Sequence, residues 1–210
     1  MALLKVKNKI QKFIWKDRVY TMNSRWIEEF PQLETQRFYL RRITLHDAKE
    51  IYDYFSNDEV TKYYDLDSFT TIQQAIDLIE HWDMRFKENQ GIRWGIAKKE
   101  DNKLIGSCGY HNLAKEHHKA EIGYEVAPNY WRKGVITEVL KPILTYGFQQ
   151  MKFHRIEAFY DPENIASQKS LEKAGFCYEG TLKECFFEKG KFVDAVICSL
   201  LSKDYFLNKA

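Results

Sequence analysis

The sequence predicts a mixed α+β domain: a central, mostly antiparallel sheet of about seven strands flanked by helices. Three observations predict it. Segments with alternating and with helical hydrophobic periodicity follow one another in the order βααβββαβαββ. The middle of that order is a strand–turn–helix–strand unit, the crossover that places two strands parallel in one sheet. The end is a hairpin about Lys189-Gly190.

The elements follow in chain order. Residues 35–43 (TQRFYLRRI) alternate as a strand. Thr44-Leu45-His46-Asp47 has the form of a capping box for a helix to about residue 56, burying Ala48, Ile51, Tyr52 and Phe55. Residues 57–70 are a polar, aromatic loop, and 71–87 a second helix. Strands at 92–98, 104–113 and 121–126 form a meander. A helix from Gly134 to about residue 151 contains Pro142, which removes a hydrogen bond and is expected to kink it. A strand at 154–160, a helix at 165–174 ended by Gly175, and the hairpin strands 176–188 and 192–201 complete the order.

Composition fits such a domain. Hydrophobic residues make up 44% and aromatics 15% of the 210 residues, enough for a packed core. A formal charge of +2 argues against stable nucleic-acid binding. Cys108, Cys177, Cys185 and Cys198 are widely spaced and suit buried thiols in a reducing compartment rather than disulfides or zinc. No apolar run reaches membrane-spanning length, and no secretory leader is evident, so the reading is a cytoplasmic protein with no membrane partner. The adjacent His117 and His118 read as a solvated turn, and no metal site is expected.

Residues 1–33 read as a separate basic, amphipathic extension before a domain at 34–210. Lys5, Lys7, Lys9, Lys12, Lys16 and Arg18 stand against Asp17, and Leu3, Val6, Ile10, Phe13 and Ile14 share a helical face. Docking on the main domain or on the second subunit of a homodimer is favoured over a membrane or RNA contact.

The chemistry concentrates in residues 120–138, AEIGYEVAPNYWRKGVITE. Pro128 ends an alternating strand, a basic turn follows, and a helix begins at Gly134. The first amides of a helix lack intrahelical acceptors and carry the positive end of its dipole, so this turn suits a phosphate or pyrophosphate. Residues 131–136 resemble the acetyl-CoA motif Q/R-x-x-G-x-G/A of the GNAT N-acetyltransferases, with Trp131 for the first residue and Ile136 for the second small one. Residues 33–44 (LETQRFYLRRIT) resemble the opening of that family's ribosomal-protein alanine/serine branch. Residues 161–176 (DPENIASQKSLEKAGF) resemble its N-x-x-S/A helix ending in Gly-Phe. The resemblance spans about residues 34–205.

The resemblance implies acetyl transfer from acetyl-CoA directly to a primary amine. It places the pyrophosphate on Trp131, Arg132, Lys133, Gly134, Val135, Ile136 and Thr137, and the pantetheine arm along Asn164, Ser167 and Lys173. Backbone amides near Glu125 and Val126 would receive the thioester oxygen. Many family members carry Tyr where this chain has Leu171, so Ser167 takes the role of proton donor to the departing thiolate. Glu125 and Glu184 are equal candidates for the base, with Glu121 on the same strand face as Glu125. The acceptor stays open between a protein N-terminal amine and a small amine such as a polyamine, antibiotic or amino sugar. A non-catalytic acyl-CoA sensor and a ribosome-associated RNA-binding module are the readings from other classes.

Overall fold

A computed structural model describes residues 29–207. Most of the expected extension, residues 1–28, lies outside that range. Strands β1 (Leu33–Glu34), β2 (Phe38–Arg42), β3 (Ile92–Lys98), β4 (Leu104–Ala114), β5 (Lys119–Val126), β6 (Arg155–Tyr160), β7 (Cys177–Glu188) and β8 (Lys191–Leu201) form one sheet. Their order is β1-β2-β3-β4-β5-β6-β8-β7. Only β5 and β6 pair in parallel; every other neighbour is antiparallel. The eighth strand arises because the expected strand at 35–43 is a tight turn plus β2, with Leu33–Glu34 folding back on Leu40 and Tyr39.

Helices α1 (Ala48–Phe55) and α3 (Ile72–Lys87) cover one face, with a short α2 (Asp58–Thr61) inside the segment expected to be loop. Asn57 accounts for α2: its side chain accepts from the Glu59 amide and caps the turn. The capping box at Thr44 and Asp47 is present and first closes a 3₁₀ turn, Leu45–Asp47, that leads into α1. Helix α4 (Val135–Gln149) covers the other face and runs through Pro142 as one helix. Helix α5 (Ile165–Lys173) follows β6, and a short α6 (Ser202–Leu207), unforeseen in the sequence, closes the described chain.

Alternation along the strands sorts the core into two sets. Trp94, Tyr110, Ile122, Val139, Ile143 and Phe153 pack on the α4 side, and Ile43, Ile51, Phe55, Ala75 and Ile79 on the α1/α3 side. Helix α5 stops in a Schellman motif: the Phe176 amide donates to Leu171 and the Gly175 amide to Glu172, with Gly175 at φ +93°. Cys108 and Cys198 are buried as expected, but Cys177 and Cys185 are exposed, because β7 is an edge strand whose outer side faces solvent.

Candidate active site

The parallel pairing of β5 with β6 ends early. Lys119, Ala120 and Glu121 pair with Arg155, Ile156 and Glu157, and from Ile122 onward the strands separate. The Ala127 amide donates to Ile105 on β4 at 2.8 Å. Backbone groups two residues apart point to the same side of a strand, so the amides of Glu125 and Gly123 also face β4. Those of Tyr124 and Val126 face the gap. The expected amide pair near Glu125 and Val126 is therefore shifted: Val126 faces the gap, and its partner there is Tyr124 rather than Glu125. Across the mouth of the gap, the Trp131 indole N–H donates to the Val126 carbonyl at 2.6 Å.

The turn into α4 stands open. Arg132 (φ +59°) and Gly134 (φ +70°) both adopt left-handed backbone, which folds successive amides around a concave surface. A methyl group added at Gly134 would meet nothing closer than the Arg37 guanidinium, at 3.9 Å, so backbone conformation rather than crowding calls for glycine. Val135 is buried and Ile136 packs against the core, leaving the main chain of 132–137 to face a ligand. From the outer side Arg37 fixes this turn. Its Nη2 donates to the Lys133 carbonyl at 3.0 Å, and its Nε meets the Glu138 carboxylate at 2.6 Å. Lys133 rests its ammonium over the Tyr130 ring. These amides beside a gap with two free amides fit a pyrophosphate-bearing thioester.

Helix α5 flanks the gap. Asn164 caps it, its side-chain oxygen accepting from the Ser167 amide at 3.0 Å. The Ser167 hydroxyl lies 3.0 Å from the Tyr124 hydroxyl, which also reaches the Ser167 carbonyl at 3.3 Å. Burial, chiefly, drives the Tyr124 phenol's pKa up, Cys108 and Cys198 add to this, and the Ser167 hydrogen bond pulls it partly back. Leu171 is buried in the core, and Lys173 is exposed at the C-terminal end of α5.

The carboxylates divide sharply. Glu125 is buried, and Arg93, Ser107, Tyr54 (3.3 Å) and Tyr64 (2.5 Å) all donate to it, two to each oxygen. A carboxylate has about four lone-pair sites, so none is left to accept an acceptor's proton. Glu125 thus ties α1, the 57–70 loop and three strands together rather than facing a substrate. Burial, above all, and then the Glu125 charge raise Tyr54 and Tyr64 well above the ordinary tyrosine value. For Arg93, burial would lower the pKa, but the Glu125 charge outweighs it and the net shift is upward.

Glu184 is exposed and sits in a bulge where Leu182 pairs with Ala195 and Phe186 with Val193. Residues 183–185 oppose Asp194 alone, so the regular alternation that would put Glu184 and Phe186 on one face is interrupted by the bulge. Its amide donates to Asp194 at 2.9 Å. Phe186 instead meets Phe159 of β6 edge to face, with ring centroids 5.7 Å apart.

Glu121 faces His111 on β4, its direct partner in the ladder. His111 Nε2 is 3.4 Å from the carboxylate, and Asn112 Nδ2 donates to it at 3.0 Å. Burial, the largest effect, would raise the Glu121 pKa; these hydrogen bonds outweigh it, and it lies below the ordinary value. The other face of the imidazole, Cε1 and Nδ1, lies against Gly123. His111 and Tyr124 escaped the sequence reading. Only the register that pairs 111 with 121 shows the first, and only the packing of α5 shows the second.

The GNAT acetyltransferase domain model matches residues 37–177. The Bacillus subtilis protein named uncharacterized N-acetyltransferase YoaA is 43% identical over 82% of this chain and 97% of its own. A ribosomal protein uS5-alanine N-acetyltransferase of Escherichia coli is 27% identical over 57% of this chain and 62% of its own. Among solved structures, a GNAT-family acetyltransferase from Bacillus anthracis superposes with a TM-score of 0.73 at 27% identity, covering 82% of this chain and 99% of that one. A ribosomal-protein-S5-alanine acetyltransferase from Vibrio fischeri also gives 0.73, at 25% identity over 83% and 98%. With matches of this extent, the chain belongs to the GNAT family and is an acetyl-CoA-dependent N-acetyltransferase.

Proposed function

We propose that the chain acetylates protein N-terminal amines of the ribosomal-protein type. The observation that carries the catalytic part is the open gap: the Tyr124 and Val126 amides point into it, Ser167 flanks it, and the N-terminus of α4 adjoins it. The relatives named for ribosomal-protein alanine acetylation support the choice of acceptor. A small-molecule amine is the second reading, since loops on a rigid scaffold carry binding selectivity and the 57–70 loop and the β7–β8 hairpin are the segments expected to choose the acceptor.

Acetyl-CoA, when bound, supplies an activated acetyl thioester. The amides of 132–137 hold its pyrophosphate, and Trp131, Asn164, Ser167 and Lys173 border the path of its pantetheine arm. The Val126 and Tyr124 amides stabilise negative charge on the thioester oxygen. The Ser167 hydroxyl donates its proton toward the departing sulfur, with the neutral Tyr124 phenol fixing its direction. His111 is the base. The Glu121 carboxylate 3.4 Å from Nε2 favours the proton on that nitrogen, which leaves the Nδ1 lone pair facing Gly123, where β5 leaves β6. An imidazole nitrogen with a free lone pair can take the proton that the amine must lose to attack.

A mass-spectrometric screen with acetyl-CoA tests this against peptides that begin with Ala or Ser and against a panel of polyamines, aminoglycosides and amino sugars. One added acetyl group on a peptide N-terminus is the expected result. Turnover confined to a small amine replaces the acceptor reading. Tight CoA binding with no turnover on any acceptor favours a sensor.

A further inference from the structure

A cavity of about 160 Å³ opens between α3 and the sheet, lined by His81, Trp82, Arg85, Arg93, Tyr110 and His111 among others. Its two arginines differ. Arg93 is fully engaged, donating to Glu125, Ser107 and the Gly123 carbonyl, with its guanidinium over the Trp82 ring. Arg85 is half-buried, and its one hydrogen bond among the described residues is a long one, 3.3 Å, from Nη2 to the Gln90 carbonyl. Its Nε is shut off from water and has no partner. A cation in that state is costly, because donors removed from water lose hydration without replacement. A carboxylate entering the cavity would pair with the guanidinium charge from the cavity side and offset the cost of burying its Nε.

His111 also lines the cavity, and its Nδ1 lies against Gly123 at the start of the gap. A cavity near 150 Å³ holds a benzene ring, so this one accommodates a short carboxylate-bearing side chain or backbone end. We infer that the cavity is the acceptor's anion subsite: Arg85 pairs with a carboxylate of the acceptor while the acceptor's amine stands at His111. This rests on the acetyl-transfer reading above for the amine, though not for the anion. Pairing at Arg85 and proton removal at His111 would select amines that carry a carboxylate a few bonds away.

The test has a binding arm and a turnover arm. In the arginine Nε–H region of a nitrogen–proton NMR spectrum, propionate should shift one signal, propanamide should not, and Arg85→Gln should delete that signal. In turnover, paired acceptors differ only in the carboxylate: the amides of Ser-Glu and Ser-Gln for a peptide source, serine and serinamide for a free amino acid. Wild type should prefer the carboxylate member of one pair by about tenfold or more in kcat/KM, the range of a charge-assisted hydrogen bond. Arg85→Gln should bring that pair to parity, chiefly through KM, while the uncharged member keeps its rate. Arg85→Lys should restore part of the preference. An unmoved Arg85 signal with propionate, or a preference unchanged in Arg85→Gln, overturns the subsite. If no amine is acetylated at all, the acetyl-transfer reading fails, and the propionate titration still decides the anion site.

Discussion

The Tyr124 hydroxyl stands 3.0 Å from the Ser167 hydroxyl, joining the strand that leaves the sheet to the helix beside the gap. A serine donating to a thiolate needs its hydrogen aimed at the sulfur, and the phenol can hold it so by taking one of its lone pairs. Ser167→Ala should lower kcat by roughly tenfold to a hundredfold, with acetyl-CoA affinity near that of wild type. Tyr124→Phe should lower kcat by a smaller factor, also without loss of affinity. The double variant should be no slower than Ser167→Ala, because the two hydroxyls act as a unit. Additive losses in stopped-flow or steady-state kinetics would show that Tyr124 acts independently.

The turn at Gly134 gives a prediction that isolates the cofactor. Gly134→Ala places a side chain at φ +70°, which costs about 1–2 kcal/mol of local strain, and its methyl group enters open space. Gly134→Pro removes an amide donor as well and cannot adopt that φ. CoA affinity measured by calorimetry should fall modestly for Ala and strongly for Pro. A folded Gly134→Pro protein that binds CoA as wild type does would remove this turn from the site.

The fold was legible where local chemistry decides structure. Thr44 with Asp47, Gly175 after Leu171, and Lys189-Gly190 with both residues at positive φ each announce a boundary within a few residues of sequence. The site was less legible because its partners meet across the sheet. Glu125 looks like any carboxylate on an alternating strand. Its role depends on Arg93 of β3 and Ser107 of β4, and on Tyr54 of α1 and Tyr64 of the 57–70 loop. Glu184 and Phe186 look like face-mates under period-two counting, and the bulge opposite Asp194 breaks that count. His111 becomes conspicuous only once the register sets it opposite Glu121.

The Glu125 network makes its own prediction. Removing one partner of a buried ion pair leaves the other charge uncompensated, at a cost of about 3–5 kcal/mol. Glu125→Gln should therefore lower the denaturation midpoint markedly, and Glu125→Gln with Arg93→Met should recover part of the loss. Were Glu125 the base instead, Glu125→Gln would abolish turnover while leaving unfolding and acetyl-CoA affinity as in wild type. Comparing urea unfolding with single-turnover rates separates the two.

The last prediction concerns where the catalytic domain begins. The boundary expected between residues 33 and 34 falls inside a packed stretch. Phe30 stacks against Phe86 at 5.1 Å and Trp94 at 6.0 Å, and the Pro31 carbonyl accepts the Trp94 indole N–H at 2.7 Å. Trp94 is wholly buried with these residues in place, so losing Pro31 removes the acceptor of its indole N–H. An unsatisfied buried donor costs about 1–3 kcal/mol, and losing the Phe30 ring adds apolar exposure. A chain starting at residue 29 should keep wild-type CoA affinity, since each residue placed at the cofactor lies beyond it. A chain starting at Leu33 should unfold at lower urea than the chain starting at 29, while the fraction that remains folded still binds CoA. Equal unfolding midpoints for the two chains would show that the Phe30–Pro31 contact contributes nothing. Loss of CoA binding already in the chain starting at 29 would bring the basic extension into the cofactor site.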